Sequence, residues 1–398
     1  MDLTPLRHRD FRLLFIAQFV SILGTMITYV ALPYQMYRMT GSSLSVGLLG
    51  VAELVPLLAT AFIGGALADA VDRRRMAIVT DIGLAAGSVT LAIAATAGSG
   101  APLLYAVAAW MAGVGALQRP SVDSLLPRLV EKHEIPAAAA LGMFRGSVGM
   151  IAGPAIGLGP TYLVDVASYL VSLACLWSIR PVPPVESAER PSVAAVLDGF
   201  RYAISRQELI GTYVVDFIAM VFGMPLALFP ALADRLGGAS VLGLVYAAPA
   251  IGALAASLTS QWTARVYRQG RAVVYAATMW GMAIVAFGLC TTLWPALAWL
   301  AVAGAADAVS GIFRLTLWNQ TIPDELRGRL ASIEMVSYSS GPLLGHLEAG
   351  VVAAMFSVRA SVISGGVLCV IGVLACGWWL PRFVRYDARQ SASAITSP

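Results

Sequence analysis

The chain has 398 residues, of which 58% are hydrophobic and 12% are charged, and its mean hydropathy is +0.78. Soluble domains carry about 25% charged residues, so this composition indicates an integral membrane protein. The net charge of +4 is spread over many loops and does not indicate nucleic-acid binding, and the four cysteines lack the spacing of a metal site or a disulfide framework.

Runs of apolar residues long enough to cross a bilayer recur along the whole sequence. A spanning helix needs about 20 such residues. Windows of that length predict twelve spans, at residues 11–36, 44–69, 76–98, 102–126, 137–160, 161–180, 208–233, 240–264, 272–292, 295–320, 330–356 and 360–381. The basic start is not followed by a small-residue cleavage site, so we expect the first span to remain as a helix.

The cations are distributed unevenly about these spans. Of 26 lysines and arginines, twenty fall on the side that holds both termini, three fall on the other side and three lie within spans. Basic loops stay in the cytoplasm. The pattern predicts a multi-pass protein of a bacterial-type cytoplasmic membrane, with both termini cytoplasmic.

The connection between the second and third spans concentrates charge. In residues 64–75, Asp69 follows two glycines, and the stretch ends on Arg73, Arg74 and Arg75. Moving several cations across a bilayer is costly. The connection is therefore predicted to anchor the topology on the cytoplasmic side.

Small residues recur at intervals of three or four on the fifth predicted span, namely Gly142, Gly146, Gly149, Gly153 and Gly157. Small residues at this spacing let helix backbones approach closely in lipid. Pro154 interrupts the hydrogen bonding of the same span, which neighbouring helices can absorb. The pattern indicates tight helix packing.

The two halves of the chain resemble each other. Pro33 and Pro230, Gly47 and Gly243, and Arg75 and Arg271 are related by an offset near 196 residues, and each half has a Gly-Pro-x-x-Gly, at 153–157 and 341–345. A proline-rich polar connection separates the halves. We predict a six-helix bundle at 1–180, a cytoplasmic linker at 181–207, a second six-helix bundle at 208–382 and a cytoplasmic tail at 383–398, with a substrate site at the repeat interface.

Several of these residues carry a resemblance to a known family. Gly65, Asp69, Arg73 and Arg74 match the loop between the second and third helices of the major facilitator superfamily, although Ala70 and Asp72 depart from its pattern. Residues 222–234, 242–253 and 323–329 resemble the branch that includes the enterobactin exporters and drug-efflux proteins. The likeness runs from about residue 10 to residue 382.

This resemblance implies twelve helices in two pseudo-symmetric bundles, alternating access, and export of a small organic molecule driven by protons. In the family, the counterpart of Asp69 helps to close the cytoplasmic side. Gly149, Gly153, Pro154 and Gly157 match the antiporter signature, except that Leu158 replaces its last glycine. The basic residue that drug/proton antiporters carry on the fourth span is absent from residues 103–117.

Charged residues at membrane depth are candidates for the transport site, because such groups usually mark an ion or substrate path. They are Glu53, Asp216, Asp307, Arg314 and Glu348. The resemblance places the seventh and tenth helices along the cavity, so Asp216 and Asp307 are expected to face substrate, with Arg314 two turns from Asp307.

Two further expectations concern the small residues around Asp307 and the other carboxylates within the spans. Small residues around Asp307, such as Gly304, are expected to leave room for water or ligand. Asp81 and Asp165 lie nearer to the ends of their spans. We expect these two carboxylates to be solvated or to cap helices.

His346 is the only histidine inside a span. Histidine changes its charge near neutral pH, and the resemblance brings the second and eleventh helices together. We expect His346 to pair with Glu53 or Glu348 in a proton-sensitive way. The alternative is a buried imidazole bonded to a backbone carbonyl.

The sequence predicts a secondary transporter, and specifically a proton-coupled exporter of a siderophore or a drug-like molecule. The alternatives are a facilitator or importer of a small solute, or a membrane receptor or scaffold that does not transport. No nucleophile–base or metal constellation occurs, and the only lysine, Lys132, is not part of a phosphate-binding loop. We therefore expect no enzyme activity, metal or cofactor. The expected partners are the lipid bilayer, the substrate and protons, and the sequence is compatible with a monomer.

Overall fold

The computed structural model describes residues 3–70, 72–123, a set of positions between 125 and 149, and residues 161–180, 201–322 and 327–387. These ranges are helical, with short connections and no strands. The helices of the first half are α1 Arg9–Thr40, α2 Ser43–Ala70, α3 Arg73–Ala97, α4 Ala101–Asp123 and α5 Thr161–Ser178. Those of the second half are α6 Gln207–Phe222, α7 Phe229–Leu236, α8 Ala239–Leu258, α9 Gln269–Leu289, α10 Leu293–Thr321, α11 Arg327–Met355, α12 Val358–Trp379 and α13 Pro381–Arg385.

Within the described ranges, ten helical segments are long and apolar enough to cross a membrane. They are the first four predicted spans, the sixth to the tenth and the twelfth. The eleventh predicted span is helix α11, and most of the fifth lies outside the described residues. The prediction of an all-helical integral membrane protein is confirmed, and the helices are consistent with twelve spans.

The contacts divide the chain into two compact units, Met1–Pro191 and Ser192–Pro398. In the first unit, α2 packs on α4, α3 packs on α4 and α5, and α1 packs on α5. In the second, α8 packs on α10, α9 packs on α10 and α12, and α6 packs on α12. The second unit thus repeats the packing of the first, while the predicted domain bounds themselves stay a prediction.

Two glycines bring the backbones of α8 and α10 into direct contact. A Cβ atom added to Gly252 would collide with the carbonyl group of Ala301, and one added to Gly304 would collide with that of Pro249. Close approach of this kind is the usual role of small residues between helices in lipid. Gly304 itself therefore packs against α8 and leaves no free space, whereas the expectation that small residues around Asp307 leave room for water or ligand stays a prediction.

The seventh predicted span is not one continuous helix. Helix α6 ends at Phe222, a short 3-10 turn covers Leu226–Leu228, and α7 begins at Phe229. Pro225 causes the break, because proline donates no backbone hydrogen bond and restricts the residue before it.

Side chains from neighbouring helices stabilise this break. Trp280 of α9 donates its indole N–H to the carbonyl of Gly223 at 3.0 Å, and the Tyr246 hydroxyl of α8 donates to the carbonyl of Leu226 at 3.3 Å. A broken helix is tolerated at membrane depth when other groups take up its freed backbone atoms. The break is thus a specified part of the fold.

Candidate functional site

Three of the predicted charged residues meet between α6 and α10. The Arg314 guanidinium of α10 forms an ion pair with the carboxylate of Asp216 on α6. A second guanidinium nitrogen lies 3.9 Å from an Asp307 carboxylate oxygen, two turns away on α10. The side chains of Arg314 and Asp216 are 12% and 9% exposed, whereas that of Asp307 is 38% exposed.

The ion pair is held in register by a hydrogen bond one turn further along both helices. Trp318 lies four residues after Arg314, and Thr212 lies four residues before Asp216, so the two helices run antiparallel here. The Trp318 indole N–H donates to the Thr212 hydroxyl at 2.8 Å, and its ring lies 5.3 Å from that of Tyr213. These contacts fix α10 against α6 and thereby keep the Arg314 side chain next to Asp216.

The charges of this cluster do not balance when all three groups are ionised. Two carboxylates face one guanidinium, which leaves one excess negative charge inside the membrane-spanning part of the second unit. Uncompensated charge is unfavourable at that depth. The cluster can be neutralised by one proton or by one cation, and Asp307 is its most exposed carboxylate.

A fully buried carboxylate joins three helices of the first unit. Asp165 of α5 is 0% exposed. Its carboxylate accepts hydrogen bonds from the hydroxyls of Thr28 on α1, at 2.6 Å, and Ser88 on α3, at 2.7 Å. Gly24 allows the close approach of α1, since a Cβ at this position would collide with the side chains of Asp165 and Ser168.

Asp81 occupies a similar position two turns along the same pair of helices. It lies on α3, is 0% exposed, and accepts a hydrogen bond from the Ser172 hydroxyl of α5 at 2.5 Å. The Gln118 amide of α4 donates to its other carboxylate oxygen. The expectation that Asp81 and Asp165 are solvated or cap helices is wrong, because both are enclosed between helices and bonded by hydroxyl and amide donors.

The charged connection after α2 contributes two local contacts. Asp72 caps the start of α3 by accepting a hydrogen bond from the backbone N–H of Arg75 at 2.9 Å, which gives a structural reason for its departure from the family pattern. The Arg74 guanidinium donates to the carbonyls of Leu176 and Trp177 at the end of α5, where a cation is favoured. The surroundings of Gly65 and the side chains of Asp69 and Arg73 are not among the described parts of the chain, so their predicted conformational role stays a prediction.

The Gly-Pro-x-x-Gly of the second half mediates packing. Cβ atoms added to Gly341 and Gly345 would approach Met220 and the adjoining backbone of α6 to within 2.7–2.9 Å. In the first half, a Cβ on Gly149 would lie 2.9 Å from the Ile22 side chain of α1. The rest of that motif, Gly153, Pro154 and Gly157, lies outside the described residues.

The remaining candidates lie on α2 and α11. Glu53 and Glu348 are partly buried, and His346 is 9% exposed. The Nε2 atom of His346 is buried and makes no hydrogen bond to any described residue. The proposed pairing of His346 with Glu53 or Glu348 stays a prediction.

The part of the chain that the structure describes contains no group of three or more histidine, cysteine or acidic residues that could hold a metal ion. All four cysteines are free, and Cys369 and Cys376 are buried.

Comparison with known proteins identifies the family. The chain matches the MFS_3 family, described as transmembrane secretion effector, over residues 1–396. The chain belongs to this family. The resemblance to the major facilitator superfamily is confirmed, and the chain is a multi-pass membrane transporter.

Curated relatives and solved structures agree with this membership. The enterobactin exporter EntS of Escherichia coli O1:K1 is 28% identical over 382 residues, which cover 92% of this chain and 91% of the relative. The nucleoside transporter NupG superposes with a TM-score of 0.72 at 12% identity, covering 98% of this chain and all of NupG. A bacterial homologue of the human lysosomal transporter Spinster superposes with a TM-score of 0.73 at 16% identity, over the full length of both chains. These structures show that the fold is that of the major facilitator family.

Proposed function

We propose that this chain is a proton-coupled exporter of a small organic molecule in a bacterial-type cytoplasmic membrane, and that Asp216, Asp307 and Arg314 form its coupling site. The unequal charge of that cluster supports the proposal. With Arg314 paired to Asp216, the half-exposed Asp307 is the carboxylate that can exchange a proton with water. Protonation would remove the excess negative charge and release Asp307 from Arg314.

The class of substrate is inferred from the relatives. The curated proteins that match the chain include enterobactin exporters, and the chain spans 91% of the length of EntS of Escherichia coli O1:K1. We infer a siderophore or another small chelating or drug-like molecule as substrate. Glu53, His346 and Glu348 remain further candidates for the proton path.

Transport into sealed proteoliposomes tests the function. The purified protein would be offered a library of siderophores and drug-like compounds, with and without an imposed pH gradient. For exchange of one proton per substrate, one pH unit is expected to shift the substrate ratio by about tenfold. Equal transport with and without the gradient would indicate a facilitator, and the absence of any transported compound would favour a receptor or scaffold.

Asp307→Asn tests the coupling site. The amide keeps the shape of the side chain but binds no proton, so we expect the response of export to the pH gradient to disappear while substrate exchange without a gradient continues. Asp234→Asn, at an exposed position of α7, is the matched control and is expected to respond like the wild type. A normal pH response in Asp307→Asn would rule out this residue as the coupling carboxylate.

The proposed orientation is tested by labelling single cysteines from outside intact cells, in a variant without the four native cysteines. Positions near Gly98 and Gly238 are expected to react, because they lie on the side with few cations. Positions 185–195 are expected to be protected. Labelling at position 190 from outside would contradict a cytoplasmic connection.

A further inference from the structure

A cationic pocket lies at one end of the second unit, away from the charged cluster between α6 and α10. Its volume is about 550 Å³, within the size range of small-molecule sites. The residues that line it include three arginines, one acid, one tryptophan and one glycine, namely Arg268, Arg271, Arg385, Asp387, Trp378 and Gly377. With one acid against three arginines, the lining carries an excess of positive charge.

The pocket has a fixed wall. Helix α13 begins at Pro381 and packs against the ends of α6 and α9, where Phe383 is 0% exposed. Glycines on both neighbouring helices make room for it, because a Cβ on Gly211 of α6 would collide with the Phe383 ring and one on Gly270 of α9 with the Phe383 carbonyl. Buried packing therefore holds Arg385 near Arg268 and Arg271 against the repulsion between their like charges.

A strip of exposed apolar side chains on α12 runs towards this pocket. Ile371, Leu374 and Trp378 are 57%, 49% and 80% exposed, and their spacing places them along one side of the helix. Trp379, at the end of α12, is 79% exposed. Tryptophan is enriched where a membrane meets water, which is consistent with a pocket at headgroup level and with a strip that faces the acyl chains.

We propose that this pocket binds the phosphate headgroup of an anionic phospholipid, with the acyl chains lying along α12. The excess of arginine selects for negative charge, since guanidinium groups bind phosphate oxygens in a bidentate way. Basic pockets between spanning helices are known sites for such headgroups. The apolar strip favours a lipid over free phosphate, which would use the arginines but not the exposed face of α12.

Native mass spectrometry of the full-length protein in detergent tests the proposal. The protein is titrated with phosphatidylglycerol and, separately, with phosphatidylcholine of the same acyl chains. We expect tighter binding of phosphatidylglycerol. We expect R271Q/R385Q to weaken it by about thirty-fold, because each cation near a membrane surface contributes a factor of about five, and two such factors multiply.

The matched control is R206Q/R265Q. It also removes two exposed arginines of the second unit, but neither lines the pocket. We expect it to bind phosphatidylglycerol within about threefold of the wild type, since neither residue can contact a headgroup in the pocket. Equal weakening in both double variants would mean non-specific attraction and would overturn the proposal.

Two measurements on the wild type keep the test independent of how the variants fold. A photoreactive phosphatidylglycerol is expected to cross-link within residues 371–387, and cross-links confined to other segments would overturn the site. Inorganic phosphate or glycerol phosphate, added in the presence of phosphatidylcholine only, is expected to bind far more weakly than the lipid. Equally tight binding of these soluble anions would assign the pocket to a free phosphate compound. None of these readouts depends on transport, so failure here is separable from failure of the proposed export function.

Discussion

Arg314→Gln is expected to abolish proton-driven export and to lower the free energy of unfolding by about 3–5 kcal/mol, the range found when one partner of a buried ion pair is removed. The glutamine leaves Asp216 nearly buried without its cation and places two carboxylates near each other with no positive charge between them. Export in proteoliposomes and thermal unfolding in one detergent provide the two measurements.

Two further variants test whether the loss of stability comes from the buried charge that Arg314→Gln leaves unpaired. Asp216→Asn combined with Arg314→Gln removes the buried carboxylate at position 216 and leaves only the more exposed Asp307 without a cation, so we expect it to recover much of the lost stability but not the export. Arg359→Gln is the control: Arg359 is an exposed residue of the same unit that donates to the carbonyl of Leu289, and surface changes of this kind stay within about 0.5 kcal/mol. A stable Arg314→Gln variant with wild-type export would contradict the role of the cluster.

Asp165→Ala is expected to destabilise the protein by about 1–3 kcal/mol. Side-chain hydrogen bonds inside membrane proteins contribute about 0.6 kcal/mol on average and up to about 1.7 kcal/mol, and this change removes the acceptor of two of them. The hydroxyls of Thr28 and Ser88 would then be left facing one another across a cavity in the first unit. Thermal unfolding of the purified variant measures the loss.

The comparison variants decide whether Asp165 is structural or takes part in transport. Asp165→Asn keeps an acceptor oxygen and is expected to lose less stability than the alanine variant. Asp234→Ala removes an exposed carboxylate and is expected to change little. If Asp165→Ala unfolds like the wild type but no longer responds to a pH gradient, Asp165 carries a proton and is not a structural group.

Local patterns located the spans and the shared face of Asp307 and Arg314, whereas the placing of Asp216 along the same cavity came from the resemblance to a known family. Apolar windows define the helices, and two charges seven residues apart share a face of one helix. The break in the seventh span also had a visible signal, since Pro225 and Pro230 lie within it. The hydrophobicity pattern does not reveal this break, because the irregular segment is as apolar as the helices on either side.

The buried carboxylates of the first unit could not be predicted in the same way. Position within a span gives depth along one helix but does not reveal which neighbours surround a residue. The partners of Asp81 and Asp165 lie on other spans, and their hydroxyls resemble those of many serines and threonines that bond to their own helix. The cationic pocket was missed for the same reason, because Arg271 and Arg385 meet only after α13 folds back.

The contact between α8 and α10 determines which parts of the second unit can separate. Gly252 and Gly304 each lie against a carbonyl group of the opposite helix. The two backbones therefore interlock, and any sliding or separation of α8 and α10 would break these close contacts. They should therefore travel as one rigid body, carrying Asp307 and Arg314 with them. The contact between α10 and α6 consists of the Asp216 ion pair and the Thr212 hydrogen bond. We expect a conformational change to move α10 relative to α6 at this contact. During a transport cycle, the ion pair between α6 and α10 would break and form again, while the glycine contact between α8 and α10 stays intact.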